Sequence, residues 1–409
     1  MKILLMFSYY VPEVTSAAHL VKDMLDAMAD NDFEMKIITP YPTRGVEDEV
    51  RKEYIKNKKT EVKYDGRLKI KRFPLMKESK NSLQRALRYF FFIVGETIEA
   101  LKSRGYDVIY VPSTPPVNGL MMWVLKKFKK AKIVYNLQDI FPDSLVHTGM
   151  TKKGSLIWKI GRFVENVTYK SADKIIVISK GFKKNVMEKG VPEEKTELIY
   201  NWINENQVVN IERKDNKLFD KYNLDRDKFY ICYSGNIGNT QNIELLVQVA
   251  EKLSNNPDIM FVIIGEGACK EKLISLTKEK NLQNVKILPF QDYSDISHVF
   301  SLGDCGLVIS KKGIGEASVP SKTWSIMSSQ RAVLASFDKG TELDEIITDN
   351  NCGICVDADD CDALADAINT LYTDKDAVKE MGKNGRNYVI NNLTKEICTS
   401  RYVDVFKSM

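Results

Sequence analysis

The sequence predicts an α/β fold made of two doubly wound domains. Short runs rich in β-branched residues alternate with helical patterns along most of the chain, which is typical of parallel sheets covered by helices. Runs such as IIVI at residues 175–178 are apolar without alternation, as expected for strands buried on both faces. At 409 residues the chain exceeds the usual size of one hydrophobic core. We therefore expect two domains.

Twelve runs along the chain are predicted as strands, six in each domain. Those of the first domain are residues 3–7, 35–39, 68–73, 108–111, 133–135 and 175–178. Those of the second are residues 230–233, 260–264, 285–288, 306–309, 333–335 and 353–356. A less regular charged segment near residues 200–228 is interpreted as the linker. The predicted division is residues 1–204, 205–392 and a last helix at 393–409 that packs back on the first domain.

Composition indicates a protein of a reducing compartment without a membrane span. No apolar run reaches the roughly 18 residues that a bilayer-crossing helix needs, and the apolar opening run, soon followed by Pro12 and Glu13, is interpreted as a first strand. All seven cysteines lie beyond residue 230, and this odd number does not indicate a disulfide framework. Cys352 and Cys355 lack a second ligand pair, so we expect no metal and no cofactor. The cytoplasm is the expected location.

Positive charge is concentrated in the first domain. The whole chain carries a net charge of +5, while residues 44–105 contain 17 basic and 9 acidic residues. A helical stripe flanked by Arg85 and Arg88 lies within this region; its apolar members are Leu83, Ala86, Leu87, Phe90, Phe91, Val94, Ile98 and Leu101. We expect peripheral contact with an anionic membrane through residues 44–105, and no nucleic-acid partner. The alternative is a helix whose stripe faces the core.

The stretch GIGEASVPSKTWSIM at residues 313–327 carries the strongest sign of a ligand. Pro320 suits the first position of a helix, where free N–H groups of Ser321, Lys322 and Thr323 can face an anion. A lysine in the first turn opposes the positive end of the helix dipole, and a bound phosphate would offset this repulsion. The alternative is an ordinary solvent-facing lysine on a capped surface helix.

Two glycine turns follow strands of the second domain. The sequence GNIGNTQN at residues 235–242 joins a strand to a helix, and GEG at residues 265–267 follows the next strand. Glycines allow a backbone to approach a ligand closely, and Asn239 or Thr240 is predicted to cap the following helix. Ligands of open α/β sheets bind outside the carboxyl ends of the strands, where both turns lie.

These motifs, with LPFQ at residues 288–291 and VPSKTWSIM at residues 319–327, occur in an order that resembles one known family. The chain is similar to retaining nucleotide-sugar glycosyltransferases of the GT-B fold, in family four, and most closely to the branch of L-fucosamine transferases and related capsule or O-antigen enzymes. The resemblance covers essentially the whole chain. It implies two Rossmann-like domains that face a central cleft.

The resemblance also implies roles for individual residues. Donor binding is assigned to Gly235, Asn236, Gly238, Gln241, Gly265, Glu266, Phe290, Gln291, Ser318, Val319, Pro320 and Ser321. Catalytic roles fall on Asp139, Glu316 and Lys322. Thr15, Ser16 and Ala17 are expected on the acceptor or sugar side. Asp139 lies in a segment that resembles D-x-x-P-[DE]; the alternative for it is an aspartate that caps the next helix.

The sequence departs from the family pattern at two glutamates spaced E-x7-E. Setting Met327 on the family's methionine puts Ala317 and Ser325 at these positions, with Glu316 one residue away. Basic residues that many members carry after the first glycine turn are also missing, since Asn239 and Gln241 stand in that region. Lys322 would then supply more of the positive charge that the donor diphosphate requires.

The predicted function is transfer of a sugar from a nucleotide diphosphate donor, UDP-linked, to a glycan acceptor attached to a polyprenyl diphosphate lipid. Three alternatives stay open at this point. A sugar-nucleotide epimerase shares the two-domain cleft, and an inactive sugar-nucleotide-binding protein would keep the same motifs. A dinucleotide oxidoreductase is disfavoured because neither glycine turn reads G-x-G-x-x-G.

Overall fold

The chain forms two compact units in the computed structural model, which describes residues 1–13, 15, 18–78, 81–147, 149–315 and 319–409. The first unit comprises Met1–Tyr200 together with Cys398–Met409, and the second comprises Asn201–Ile397. The chain therefore divides after residues 200 and 397, where the sequence placed divisions after residues 204 and 392.

The first unit is built on one sheet. Within the described residues its strands are β1 (Lys2–Met6), β2 (Glu34–Pro40), β3 (Thr60–Lys63), β4 (Leu68–Phe73), β5 (Val108–Pro112), β6 (Lys132–Leu137), β7 (Lys174–Val177) and β8 (Thr196–Leu198). Their order in the sheet is β3-β4-β2-β1-β5-β6-β7-β8. All neighbours are parallel except β3 and β4. The sequence missed β3 and β8 because both are short edge strands without an apolar run.

Helices cover both faces of this sheet. They are α1 (Ala18–Asp30), α2 (Asp48–Asn57), α3 (Ser82–Lys102), α4 (Asn118–Phe128), α5 (Asp143–His147), α6 (Leu156–Ser171) and α7 (Lys180–Glu188). Helices α3, α4 and α6 lie side by side, since α4 contacts both others. A Cβ atom at Gly119 would collide with Thr168, so the glycine allows α4 and α6 to pack closely. Beneath them the core contains Met121, Leu125 and Tyr169.

The second unit has a parallel sheet of six strands in the described residues. They are β9 (Phe229–Ser234), β10 (Ile259–Ile264), β11 (Val285–Leu288), β12 (Cys305–Ile309), β13 (Ala332–Ser336) and β14 (Gly353–Val356). Their order is β11-β10-β9-β12-β13-β14. All six were predicted, because each contains an apolar run, although Lys286 interrupts the run of β11 and β14 is only half-buried. The prediction of two doubly wound α/β domains is confirmed.

The remaining helices belong to the second unit or link it to the first. They are α8 (Lys217–Lys221), α9 (Ile243–Lys252), α10 (Lys270–Glu279), α11 (Ile296–Phe300), α12 (Lys322–Ser328), α13 (Glu342–Asp349), α14 (Cys361–Thr373), α15 (Lys375–Asn392) and α16 (Lys395–Lys407). From Cys398 onward α16 is part of the first unit. There Phe406 is fully buried, with its ring centre 5.9 Å from that of Tyr110 and 6.4 Å from that of Phe33.

The predicted linker at residues 200–228 is not an extended connector. Leu218 and Phe219 in this segment are completely buried in the core of the second unit. Arg213 donates to Asp304 over 2.6 Å, and Lys217 to Asp295 over 2.5 Å. The units divide after Tyr200, at the start of the predicted linker, but the interpretation of the rest of the segment as a connector is wrong, because charged residues such as Arg213 and Lys217 form ion pairs with the second unit.

The apolar stripe of α3 faces water. Leu87, Phe90, Phe91, Val94 and Ile98 are between 40% and 60% exposed, so the alternative of a core-facing stripe is contradicted. Arg88 does not flank the stripe at the surface; it is buried and donates to the Thr43 hydroxyl over 2.9 Å. No helix in the described ranges is both long and apolar enough to cross a membrane.

Cys352 and Cys355 of the second unit are buried or half-buried thiols. Burial raises the pKa of the Cys352 and Cys355 thiols to about 12, so both are neutral thiols near neutral pH. Across the described parts of the chain, no group of three His, Cys, Asp or Glu side chains is arranged to hold a metal ion. Asp359, in the acidic loop DADD at residues 357–360, accepts from the Asn242 amide over 2.7 Å and joins that loop to the start of α9.

Candidate functional site

The strand order of the second unit creates a switch point between β9 and β12. The chain moves outward from β9 through β10 to β11, then returns to β12 on the other side of β9 and continues to β14. The connections after β9 and β12 therefore leave the sheet edge in opposite directions, which opens a crevice at the carboxyl ends of these two strands. Gly235 follows β9, and the segment that leads to Lys322 follows β12.

Lys322 and the end of β9 meet at this crevice. The Lys322 ammonium lies 3.9 Å from the centre of the Tyr233 ring, as in a cation–π contact. A Cβ atom added to Gly235 would lie 3.1 Å from the Lys322 Nζ atom, and Gly235 adopts a φ of +146°. Glycine at this position therefore lets the lysine side chain approach the backbone. The two motifs that the sequence predicted separately are brought together.

The Lys322 ammonium has no carboxylate partner among the residues that the structure describes. Burial lowers its pKa to about 7, because the surrounding chain removes water without supplying a compensating negative charge. At neutral pH a proton is therefore easily gained or lost. An anion placed beside Lys322 would favour the charged form and restore the ammonium.

The start of α12 differs from the prediction. The helix begins at Lys322 with Ser321 as its N-cap residue, so Pro320 precedes the helix and does not occupy its first position. The Thr323 N–H donates to the Pro320 carbonyl over 2.9 Å, which removes one of the three N–H groups predicted to face an anion. The N–H groups of Ser321 and Lys322 have no acceptor in the described part of the chain. Two backbone donors thus remain beside the lysine.

The glycine turns after β9 and β10 pack against each other. Cβ atoms at Gly265 and Gly267 would collide with the backbone of Gly235 and Ile237 respectively. The Ile237 N–H donates to the Glu266 carbonyl over 2.8 Å, and the Gly235 N–H to that of Ile264 over 3.0 Å. The turn after β10 therefore packs directly against the backbone of the turn after β9. This close contact explains why glycines stand at positions 265 and 267, without any ligand.

Several predicted donor-binding side chains are already engaged within the second unit. Gln241 accepts the Gly238 N–H over 3.0 Å and closes the first glycine turn. The Glu266 side chain pairs with Lys270 over 2.5 Å at the surface. Asn242 caps α9 by accepting the Leu245 N–H over 3.0 Å, so the predicted caps Asn239 and Thr240 are wrong. The helix starts two or three residues later than the glycine turn indicated. Asn236 is exposed and Val319 half-buried.

The segment after β11 presents an aromatic ring to water. Phe290 is 68% exposed, which is unusual for a phenylalanine in an ordered turn. Gln291 beside it is buried, accepts from Lys221 over 2.9 Å and donates to the Tyr222 hydroxyl over 2.7 Å. Its amide therefore holds the turn against α8, while Phe290 stays available for stacking.

Asp338 is a residue that the sequence analysis missed. It follows β13 and accepts the N–H groups of Gly313 and Gly315 over 2.9 and 2.7 Å, which anchors the beginning of the segment that leads to Lys322. Its position after a buried strand at the carboxyl edge was the available signal. The predicted residues Glu316 and Ser318 lie outside the described residues.

In the first unit, Asp139 follows β6 at the carboxyl edge of its sheet. Its carboxylate accepts the Ser144 hydroxyl over 3.3 Å, and desolvation raises its pKa although part of the side chain reaches water. Thr15 follows β1; its carbonyl accepts the Ala18 N–H over 3.1 Å, and it lines a cavity of about 510 Å³ with Tyr9 and Tyr10. Ser16 and Ala17 lie outside the described residues.

Comparison with known proteins covers both units. One family model, described as glycosyl transferases group 1, matches residues 214–388, and another, glycosyltransferase family 4, matches residues 17–207. The putative colanic acid biosynthesis glycosyl transferase WcaI of Escherichia coli K12 is 26% identical over 380 residues, which is 90% of this chain and 91% of that protein.

A second relative and one solved structure add detail. The N-acetylgalactosamine-N,N'-diacetylbacillosaminyl-diphospho-undecaprenol 4-alpha-N-acetylgalactosaminyltransferase of Campylobacter jejuni is 24% identical over 226 residues, covering 55% of this chain and 57% of that one. The crystal structure of Anabaena Alr3699/HepE in complex with UDP superposes with a TM-score of 0.74 and 16% identity over the full length of both chains. At this identity the structural likeness concerns the fold alone.

Proposed function

Because the chain belongs to the group 1 and family 4 glycosyltransferases, with the GT-B fold of two Rossmann-like units, we propose that it acts in surface polysaccharide biosynthesis with a UDP-linked sugar as its donor. The sugar passes to a glycan acceptor carried on a polyprenyl diphosphate lipid, with retention of the anomeric configuration and without a metal ion. The single observation that carries the proposal is the Lys322 ammonium at the switch point of the second unit, which pairs with no carboxylate of the described residues.

The environment of Lys322 suits a diphosphate. Burial lowers the pKa of Lys322 to about 7, and a bound anion would stabilise its ammonium form; two backbone N–H groups lie next to it at Ser321 and Lys322. The positive end of the α12 dipole adds to this field. The diphosphate supplies a negative charge that no described carboxylate provides beside Lys322, and the exposed Phe290 ring offers a flat surface for a nucleobase.

Relatives support the choice of donor and acceptor. The Anabaena protein was crystallised in complex with UDP, and the Campylobacter enzyme is named for an acceptor on diphospho-undecaprenol. The Escherichia coli relative is named for colanic acid, a surface polysaccharide. The branch of L-fucosamine transferases, proposed from the motifs, is consistent with a donor that carries an aminodeoxyhexose.

The proposed reaction exchanges one glycosidic bond for another. The bond between the anomeric carbon and the donor β-phosphate oxygen breaks, and the acceptor hydroxyl oxygen forms a new bond to the same face of that carbon. The acceptor proton passes to the leaving phosphate. Negative charge accumulates on the diphosphate as it departs, and Lys322 with the adjacent N–H groups stabilises it. In other transferases a metal ion stabilises this charge. Here Lys322 and the N–H groups are proposed to do so, and no metal ion is required.

Asp139 and Glu316 are proposed to act on the sugar. A carboxylate accepts hydrogen bonds from sugar hydroxyls and stabilises positive charge that develops at the anomeric centre. Asp139 follows a strand of the first unit at its carboxyl edge, the edge at which α/β sheets bind ligands. Thr15, Ser16 and Ala17 after β1 are proposed for the acceptor or sugar side of the same edge.

Binding of UDP in the absence of metal is the first expected result. We expect UDP to bind the full chain with equal affinity before and after treatment with EDTA, because the proposed charge partners are Lys322 and backbone N–H groups. Isothermal titration calorimetry measures this directly, with ADP, GDP and CDP as matched competitors. Loss of UDP binding on EDTA treatment, restored by a divalent cation, would contradict the metal-free site.

An assay without acceptor separates the proposed transferase from the epimerase and from an inactive binding protein. The transferase releases UDP at a substantial rate only when a polyprenyl-linked glycan is added. Conversion of one UDP-sugar into its epimer without acceptor would contradict transfer. Tight UDP binding with no turnover on any acceptor would favour the inactive protein.

A further inference from the structure

Three neighbouring helices of the first unit expose an apolar surface that the proposed reaction does not use. Within the described residues, α3 exposes Leu87, Phe90, Phe91, Val94 and Ile98, which recur every three or four residues along one side. Phe90 is 60% exposed and its ring packs edge-on against Phe91, with centroids 5.6 Å apart. This spacing makes one continuous apolar stripe along the helix.

Helices α4 and α6 extend the same surface. On α4, Trp123 is 48% and Phe128 72% exposed. On α6, Ile157, Ile160 and Phe163 are 59%, 56% and 63% exposed. Because α4 contacts both α3 and α6, and packs closely on α6 at Gly119, the three stripes are neighbours on one side of the sheet. We call this surface, formed by the outward side chains of α3, α4 and α6, the three-helix face.

The charges around the three-helix face have one sign at the surface. Helices α3 and α6 contain three carboxylates in total, and α4 has none. Glu96 is completely buried, Glu165 is buried and paired with Arg162 and Lys189, and the Glu99 side chain is only 17% exposed and paired with Lys102. The three-helix face therefore presents no unpaired carboxylate to its surroundings.

Basic side chains remain available on the three-helix face. Arg85 on α3 and Lys159 on α6 are exposed, and neither forms an ion pair with a described residue. Lys127 on α4 lies over the Trp123 ring, with its ammonium 3.7 Å from the ring centre. A tryptophan with a neighbouring lysine suits the boundary between lipid headgroups and acyl chains, where one part of the pair is apolar and the other hydrated.

We propose that the three-helix face inserts shallowly into an anionic phospholipid surface. Its apolar stripes bury in the outer acyl region, and Arg85, Lys127 and Lys159 contact lipid phosphates. Exposed apolar side chains with a basic side chain on each of the three helices fit this partner better than a second copy of the chain, because two such faces would bring like charges together. This surface extends well beyond residues 44–105, the region in which the sequence located membrane contact.

The membrane proposal stands apart from the donor site. The three-helix face belongs to the first unit, whereas the proposed donor site belongs to the second. UDP binding by calorimetry reports on the donor site alone, and binding to protein-free vesicles reports on the three-helix face alone. Failure of either proposal is thus recognised independently of the other.

Vesicle binding tests the proposal. The full chain is sedimented with vesicles of equal parts phosphatidylglycerol and phosphatidylcholine, and with vesicles of phosphatidylcholine only. We expect binding to the anionic vesicles, weakened by high salt. Phe90→Glu combined with Ile160→Glu should lower the partition coefficient roughly tenfold or more, because both side chains would otherwise bury in lipid. Lys127→Glu combined with Lys159→Glu should weaken binding to anionic vesicles and reduce its salt dependence.

A matched pair of substitutions serves as control. Ile55 on α2 and Val62 on β3 are 47% and 60% exposed in the same unit but lie outside the three-helix face. Ile55→Glu combined with Val62→Glu should leave vesicle binding within about twofold of the wild-type value. All these side chains are exposed, so the melting temperature and UDP binding of every variant should remain near those of the wild type.

Tryptophan fluorescence supplies a second readout. Insertion should shift the emission of Trp123 to shorter wavelength on anionic vesicles, and Trp123→Phe should remove the shift. Wild-type protein that stays in the supernatant at low salt would overturn the proposal, as would unchanged binding by the Phe90→Glu, Ile160→Glu variant. A dimer in analytical ultracentrifugation that the same two substitutions dissociate would assign the face to a second copy.

Discussion

Lys322→Ala is expected to slow sugar transfer far more than it weakens donor binding. The Lys322 ammonium lies beside Gly235 at the proposed diphosphate site, and negative charge on the diphosphate grows as the bond to the sugar breaks. By analogy with loss of one preorganised donor, removal of the charge should cost about 2–4 kcal/mol of transition-state stabilisation. Steady-state kinetics with a UDP-sugar and a polyprenyl-linked acceptor would show this as a lower kcat, while KM for the donor changes less.

Two variants control for the loss of the side chain. Lys322→Met keeps most of the apolar stem and removes the ammonium that lies over the Tyr233 ring, so it should show the same kinetic defect with little change in stability. Lys312→Ala removes an exposed lysine from the same connection after β12 and should leave kcat near the wild-type value. A wild-type kcat in Lys322→Ala would contradict a role for this lysine in sugar transfer and would favour the alternative of an ordinary lysine.

Asp139→Asn is expected to lower the transfer rate by an order of magnitude or more. The change keeps the shape of the side chain and its bond from Ser144 but removes the negative charge. Because Asp139 belongs to the first unit and the proposed nucleotide site to the second, UDP affinity should stay within about twofold. Transfer rate, UDP affinity and melting temperature, measured on this one variant, give the complete comparison.

The alternative for Asp139 makes the opposite prediction. If its role were to cap the helix α5, asparagine would serve about equally well, and both stability and transfer should survive. Asp30→Asn, on an exposed position of α1, is the matched control for loss of one negative charge from the first unit. Near-normal transfer by Asp139→Asn would remove this carboxylate from the proposed site.

Buried strands were the most predictable part of the fold. Residues 260–264 and 175–178 are uninterrupted apolar runs, and such runs have few alternatives to a strand covered by helices on both faces. The edge strands β3 and β8 escaped prediction because an edge strand needs no apolar run. Segment 205–228 was misinterpreted because its charged residues, such as Arg213, gain buried or ion-paired positions only through residues distant in sequence.

The site was predictable in its location and less so in its contacts. Glycine turns after strands indicated the carboxyl edge of the sheet, and the sequence PSK at residues 320–322 indicated the segment that brings Lys322 to this edge. Sequence could not show that Gly265 and Gly267 support another turn, or that the Gln291 amide is held by Tyr222, because both depend on tertiary contacts.

The orientation of apolar helical stripes was the hardest feature to predict. The stripes of α4 and α6 resemble those of any helix that covers a sheet, and periodicity alone does not tell which side meets the core. Only the folded unit shows that Gly119 and Thr168 lie on one side of these helices, and that Trp123 and Ile160 lie on the other.

The most direct test of the Lys322 site is proton uptake on UDP binding. Burial holds the pKa of Lys322 at about 7 in the protein without UDP, so near pH 8 the Lys322 side chain is neutral in most molecules. A bound diphosphate favours the ammonium and raises this pKa. UDP binding should then consume a proton, and the dissociation constant should rise by up to about tenfold per pH unit above pH 7 until the pKa of the complex is reached. Below pH 7 Lys322 is protonated both with and without UDP, so the proton uptake and the pH dependence of UDP binding disappear.

Calorimetry at about pH 8 in two buffers of different ionisation enthalpy measures that proton. The wild-type chain should take up close to one proton per UDP bound, and Lys322→Arg should bind UDP with no uptake, because arginine stays charged at this pH. Tight UDP binding by the wild-type chain without any proton uptake would contradict the account, since the diphosphate would then lie away from Lys322.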